Sequence, residues 1–132
     1  NPNKMDAAAE RGRKIFNNEG CSACHTPPLY TSNKLTPADG FRIPDDHRGK
    51  YQIIDRSART DSALALQTRK GTGYYKVPSL RGVWYRGPFE HSGSIDTLEE
   101  WFDPKRSVKG HPFGLKLRLN EREALIAFLK TL

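Results

Sequence analysis

The stretch Cys21-Ser22-Ala23-Cys24-His25 holds both cysteines of the chain and has the C-x-x-C-H spacing typical of covalent attachment of a c-type haem. One helical turn places both thiols on one side, where they can add to the two vinyl groups of a haem, and the next residue directs its imidazole at the iron. We therefore predict one covalently attached haem c, with Cys21 and Cys24 as the attachment sites and His25 as the proximal iron ligand.

Other roles of a C-x-x-C pair fit this sequence poorly. A structural zinc site needs four Cys or His ligands, and the sequence has no second C-x-x-C and no H-x-x-x-H to complete one. A dithiol redox motif of the thioredoxin type lies in a pattern of alternating strands and helices, which is absent here. The motif therefore favours haem over zinc and over dithiol chemistry.

Composition indicates a single small domain, residues 1–132, whose core is completed by the cofactor. The chain has 132 residues, of which 36% are hydrophobic, and a mean hydropathy of −0.75, so its own apolar side chains are few for a closed core. The first residues show no apolar signal-peptide segment, which predicts a processed protein or a fragment of a longer one. Covalent haem attachment in bacteria takes place outside the cytoplasm and favours a periplasmic or exported location. No apolar run has transmembrane length, so we predict no membrane insertion.

The formal net charge of +7 comes from basic residues that are dispersed along the chain. Haem propionates would offset part of this charge, and the remainder fits either a solvated surface or steering toward an acidic redox partner. A nucleic-acid partner is not expected, because no binding motif accompanies the charge. We expect the partner to be a redox protein or a second haem domain. These features leave the oligomeric state open.

Helical patterns are clearest at the two ends of the chain. The apolar face of a first helix, ended by residues 17–20, consists of Met5, Ala8, Gly12, Ile15 and Phe16. A last helix starts at a capping-box-like stretch, residues 120–123, and its apolar stripe consists of Leu125, Phe128, Leu129 and Leu132. We predict that these helices cross, with Gly12 allowing a close approach and Phe16, Leu125 and Phe128 filling the contact.

The middle of the chain is predicted to be mostly irregular. Two short helices are expected over residues 61–69 and 96–102, the second with Asp96 as its cap, while residues 26–59 show no sustained period. The predicted fold class is all-α with little strand: a small class I cytochrome c-like domain whose first and last helices cross beside the haem.

Three stretches, residues 21–30, 75–83 and 87–100, resemble in their order one haem domain of the bacterial di-haem cytochrome c peroxidase superfamily. The likeness runs from Gly20 to Leu132 and is to the C-terminal, electron-donating domain. Members of that superfamily carry two haem motifs, whereas this chain has one, so the resemblance implies at most half of such an enzyme. It also implies a distal methionine at the position that Lys105 occupies here, which leaves the sixth ligand to another residue.

His111 is our prediction for the sixth iron ligand. It lies in a glycine-flanked loop shortly before the last helix, the region from which small c-type cytochromes supply their distal ligand. The alternatives are Met5, expected on the packing face of the first helix, His47, expected to be solvated in a polar loop, and an open position. His91 is a further alternative, although the resemblance implies that it hydrogen-bonds a loop or a propionate.

The resemblance also implies that Arg81, in the Val-Pro-Ser-Leu-Arg motif, pairs with a haem propionate. Core or haem-edge packing is predicted for four aromatic residues, Tyr75, Trp84, Trp101 and Phe113. The function that these features favour is transfer of single electrons by a six-coordinate c-type haem. The alternative is the haem domain of a peroxidase-like or oxygenase-like enzyme whose sixth iron position is open or weakly held.

Overall fold

The computed structural model describes residues 4–67, 71–89, 95–108 and 110–132. Its helices and strands in these ranges are α1 Ala7–Asn18, α2 Cys21–Cys24, β1 Leu35–Pro37, α3 His47–Lys50, α4 Ala63–Leu66, β2 Tyr74–Lys76, α5 Leu98–Trp101 and α6 Leu119–Leu129, and a 3-10 turn lies at Val83–Tyr85. Only α1 and α6 exceed one or two turns, and both predicted terminal helices are thus present.

Helix α1 begins later than its apolar pattern suggests. The carboxylate of Asp6 accepts a hydrogen bond from the backbone N–H of Ala9 at 2.8 Å, which makes Asp6 the N-cap. Met5 therefore precedes the helix and is 45% exposed. The prediction that Met5 lies on the packing face of the first helix is wrong, because the capping carboxylate of Asp6 fixes the helix start at Ala7, two residues beyond Met5.

Helices α1 and α6 pack at a distance that only glycine permits. A Cβ added to Gly12 would lie 1.9 Å from the carbonyl oxygen of Ala124 and 2.8 Å from the Cβ of Phe128. The rings of Phe16 and Phe128 meet edge to face with their centroids 5.4 Å apart. The expected close approach of the first and last helices at Gly12 is observed.

Helix α6 begins at Leu119, with Arg118 as its N-cap. The carboxylate of Glu121 accepts a hydrogen bond from the backbone N–H of Arg118 at 2.9 Å and so satisfies one of the free donors at the helix start. The predicted start at residues 120–123 is wrong by two residues, because Glu121 rather than Glu123 reaches back to the cap.

A small antiparallel sheet lies in a region predicted to be irregular. Strand β1 pairs with β2, with Thr36 opposite Tyr75. The regular structure is mostly helical with little strand, as predicted, and the strand present is this two-stranded sheet. The short helices are smaller than predicted, and α5 is capped by Thr97, not Asp96, since the Thr97 hydroxyl accepts from the Glu100 N–H at 3.1 Å.

The main core lies between α1, α5 and α6. Its buried members are Phe16, Leu98, Phe102, Leu125, Ile126, Phe128 and Leu129, and the Cys21 side chain packs against their edge. The haem motif therefore packs, through Cys21, against the core at the crossing of α1 and α6. None of the helices in the described ranges combines the length and hydropathy that a bilayer crossing requires.

Phe128→Ala is expected to lower the free energy of unfolding of the haem-loaded domain by about 3–5 kcal/mol, because a fully buried ring is replaced by a cavity. The measurement is denaturant unfolding followed by circular dichroism. Leu119→Ala is the matched control, since Leu119 is 63% exposed on the same helix. Equal midpoints for Phe128→Ala and the wild type would contradict the assignment of Phe128 to the core.

Candidate functional site

Both cysteines and His25 lie on one helical turn. Gly20, with φ 78°, starts α2, and the backbone N–H of His25 donates to the carbonyl of Cys21 at 2.8 Å to close the turn. Both thiols are free and half-buried. The turn therefore presents two thiols and an imidazole from five consecutive residues.

The orientation of the His25 ring is fixed by two backbone carbonyls. Its Nδ1 lies 3.1 Å from the oxygen of Tyr30 and 3.1 Å from the oxygen of Pro78. Because a carbonyl oxygen only accepts, Nδ1 carries the proton and Nε2 keeps a lone pair that can bind a metal. Such a carbonyl partner is the usual device that orients a metal-binding histidine.

The His111 ring lies opposite His25. The two ring centroids are 6.4 Å apart, and the ring planes are inclined at 52°. Bonds from imidazole to a divalent metal are about 2 Å long, so two rings that share one ion have centroids separated by about 6 Å. In the described part of the chain, the buried Nδ1 of His111 has no hydrogen-bond partner. The separation of the two ring centroids is therefore the one expected if both imidazoles bind one metal ion.

Burial keeps both imidazoles neutral. It lowers the pKa of His111 to about 4, with a further contribution from the neighbouring His25, and it lowers the pKa of His25 as well. Burial raises the pKa of the Cys21 thiol to about 11 and also raises that of Cys24. At neutral pH the site therefore holds two imidazoles with free lone pairs and two protonated thiols.

Aromatic side chains surround His111. Its ring centroid lies 5.2 Å from that of Trp101 and 5.0 Å from that of Phe113. Trp101 and Phe113 are half-buried, in agreement with the packing predicted for them. Tyr75 is buried in a second cluster with Ala38 and Ala65.

Two other predicted packing or site residues are exposed. Trp84 is 42% exposed and packs edge-on against Tyr85, so it lies outside the core, and its packing at a haem edge stays a prediction. The Arg81 side chain is exposed, and its backbone N–H donates to the Ser79 hydroxyl at 3.2 Å. Arg81 lies three residues beyond Pro78, which contacts His25, and its pairing with a propionate stays a prediction.

The other candidates for the sixth ligand are placed differently from His111. His47 begins α3 and is half-buried, with Nδ1 2.8 Å from the hydroxyl of Tyr74 and its ring against Tyr51, so the prediction of a solvated loop histidine is wrong. Lys105 is exposed. His91 lies outside the described residues.

Sequence reasoning did not identify the carbonyls that orient His25. Tyr30 follows the haem motif by five residues, and Pro78 belongs to the Val-Pro-Ser-Leu-Arg motif. That motif is part of the resemblance to the di-haem superfamily, and it is the signal that could have pointed to Pro78. The acceptor at each position is a backbone carbonyl, which every residue type has, so the identity of the side chain does not indicate it.

No protein-family model matches the chain. It is 31% identical over 155 residues to cytochrome-c peroxidase IdrP1 of Denitromonas iodatirespirans, an alignment that covers 97% of this chain and 41% of that protein. It is also 31% identical over 139 residues to methylamine utilization protein MauG of Methylorubrum extorquens, covering 97% of this chain and 35% of MauG. Over nearly its whole length the chain is a homologue of di-haem proteins of the cytochrome c peroxidase and MauG superfamily.

The superfamily relationship covers one part of the larger proteins. The chain spans about two fifths of the curated relatives that it matches, with 34% of the length of cytochrome c551 peroxidase from Pseudomonas aeruginosa at 23% identity. Among solved structures, a MauG-like protein associated with microbial copper homeostasis shares the fold, with a TM-score of 0.57 and 22% identity. That match covers 97% of this chain and 47% of that protein.

Proposed function

We propose that the chain is a mono-haem c domain that passes single electrons between redox partners. The observation that supports this most directly is the opposition of the His25 and His111 imidazoles, 6.4 Å apart between ring centroids. Two protein ligands on opposite sides of one iron leave no position for a substrate. Such a site changes oxidation state without binding a small molecule.

Each residue of the site has a defined task in this proposal. The thiols of Cys21 and Cys24 would hold the haem covalently, each adding to one vinyl group so that one S–C bond forms and the thiol hydrogen passes to the other vinyl carbon. His25 is the proximal ligand through Nε2, because its Nδ1 is held by the carbonyls of Tyr30 and Pro78. A bound haem c supplies a one-electron Fe(III)/Fe(II) couple, and nitrogen ligands on both faces hold its potential below that of a His/Met cytochrome.

The wider assignments follow from the single C-x-x-C-H motif and the superfamily. We assign one haem to this chain and a class I cytochrome c-like arrangement, because α1, α2 and α6 meet at the motif. The domain is the counterpart of the C-terminal, electron-donating haem domain, with Arg81 pairing with a propionate. Its partner is a redox protein or a second haem domain, and its location is periplasmic or exported.

A peroxidase-like enzyme domain is the second candidate. It is favoured by the relatives named as cytochrome-c peroxidases, which align with nearly the whole chain. That function needs a sixth iron position that peroxide can reach. The two candidates therefore differ in whether His111 occupies the iron.

The haem is expected to stay on the wild-type chain in a denaturing gel stained for haem, because thioether bonds survive denaturation. The double variant Cys21→Ala/Cys24→Ala should lose all covalent haem, whereas each single variant keeps one thioether bond. Ser22→Ala, inside the same turn, is the control and should stain like the wild type. Wild-type protein whose haem is extracted by acidified organic solvent would overturn the covalent assignment.

A further inference from the structure

The loop that carries His111 is held from inside by Arg106. Arg106 is a charged residue with only 5% exposure, five positions before His111. One terminal nitrogen of its guanidinium donates hydrogen bonds to the carbonyl oxygens of Gly110 and His111, the second at 2.9 Å. A cationic donor therefore holds the two peptide groups that flank His111, the one before it through the Gly110 carbonyl and the one after it through the His111 carbonyl.

Trp101 connects Arg106 with the His111 ring. The guanidinium carbon lies 4.7 Å from the centroid of the indole, and the same indole lies 5.2 Å from the imidazole of His111. Trp101 is the last residue of α5, so this stack is anchored to the helical core. Arg106 is thus fixed by a partner that also contacts the ring it would position.

The loop needs such support, because its backbone is strained. His111 has φ 51°, a left-handed conformation that a non-glycine residue keeps only where the surrounding structure imposes it. Proline at position 112 restricts the preceding residue further. On the outer side, Gly110 packs so closely that a Cβ would lie 2.7 Å from the carbonyl oxygen of Arg59. The peptide is therefore held between the segment at Arg59 and the Arg106 guanidinium.

We propose that Arg106 is a positioning residue for the sixth iron ligand: by clamping the Gly110 and His111 carbonyls, it holds the His111 imidazole opposite His25. This inference rests on the proposed function, because it takes His111 as an iron ligand. Its consequence is that Arg106 helps to keep small molecules off the iron without touching the iron itself. Nothing in the motifs of the sequence singles out this arginine.

The test is the rate at which carbon monoxide binds to the ferrous, haem-loaded domain, since binding requires His111 to leave. Arg106→Met removes both hydrogen bonds and should accelerate CO binding at least about tenfold, the effect of losing hydrogen bonds from a charged group. Arg106→Lys retains a cation that can donate to the same carbonyls, so its rate should lie between that of the wild type and that of Arg106→Met. Arg42→Met, at an exposed arginine, is the matched control and should bind CO like the wild type.

Loss of stability alone is separated from loss of positioning by Phe128→Ala, which weakens the core but leaves the clamp intact. That variant should unfold more easily while its CO rate stays within about twofold of the wild type, because the rings that Phe128 meets are those of Phe16 and Tyr30, and the hydrogen bonds of Arg106 to Gly110 and His111 are left in place. A CO rate for Arg106→Met within twofold of the wild type overturns the inference, as does an equal acceleration in Phe128→Ala. Fast CO binding by the wild type itself overturns the proposed function instead. If CO binds slowly to the wild type and to Arg106→Met but rapidly to His111→Ala, the proposed function stands and the role of Arg106 is rejected.

Discussion

His111→Ala is expected to convert the ferric iron of the haem-loaded domain from low-spin to predominantly high-spin. The reason is that this substitution removes the imidazole whose ring centroid lies 6.4 Å from that of His25, and the alanine methyl cannot replace it as a ligand. The opened position should also confer peroxidase-like reactivity. Hydrogen peroxide must reach the iron to be activated, whereas electron transfer requires no such access. Absorption spectroscopy and electron paramagnetic resonance measure the spin change, and oxidation of a chromogenic donor by hydrogen peroxide measures the reactivity.

His47→Ala is the matched control for this variant. His47 is also half-buried, but its ring lies at hydrogen-bond distance from the Tyr74 hydroxyl and packs against the Tyr51 ring, so the spin state should not change. His91→Ala should likewise leave the spin state unchanged. A His111→Ala domain that stays low-spin while His91→Ala becomes high-spin would assign the sixth position to His91.

Gly12→Ala is expected to cost at least about 3 kcal/mol of unfolding free energy, because the helices cannot move apart without disturbing the core. The new methyl carbon would lie 1.9 Å from a backbone oxygen of α6, an atom that no side-chain rotation can move away. Thermal and denaturant unfolding of the haem-loaded domain measure the loss. Because Cys21 packs on the core formed at this crossing, incomplete haem attachment during expression is a further expected effect.

Gly49→Ala provides the control for the same chemical change. Gly49 lies in α3, and a Cβ there meets no other atom within 4 Å. Alanine at such a site should leave stability unchanged or raise it slightly, since it reduces the freedom of the unfolded chain. Equal stability of Gly12→Ala and Gly49→Ala would contradict the close approach of α1 and α6.

Features encoded by short-range patterns could be predicted from the sequence. The turn that carries Cys21, Cys24 and His25 is defined by five consecutive residues. The crossing of α1 and α6 follows from helical periodicity and from a glycine among large apolar side chains. Phe16 and Phe128 were expected at this contact, and they meet there.

Features that depend on contacts between distant segments were missed or misplaced. The pairing of β1 with β2 joins residues about forty positions apart, and neither three-residue strand has a periodic signal of its own. Helix starts were displaced because the choice of capping residue, Asp6 for α1 and Arg118 for α6, depends on local hydrogen bonds that several nearby residues could make. The burial of Arg106 was not predicted, because in the sequence it is one of many dispersed basic residues. Its burial results from Trp101 and from the loop that folds over it.

Electron paramagnetic resonance of the ferric wild-type domain, loaded with its covalent haem, tests the central claim most directly. If His25 and His111 are both ligands, the spectrum should show low-spin iron with two nitrogen axial ligands. In the absorption spectrum of the same sample, the near-infrared charge-transfer band of a methionine-ligated haem should be absent. A predominantly high-spin signal from the wild type, or a methionine charge-transfer band, would contradict the assignment of His111 and with it the proposed electron-transfer function.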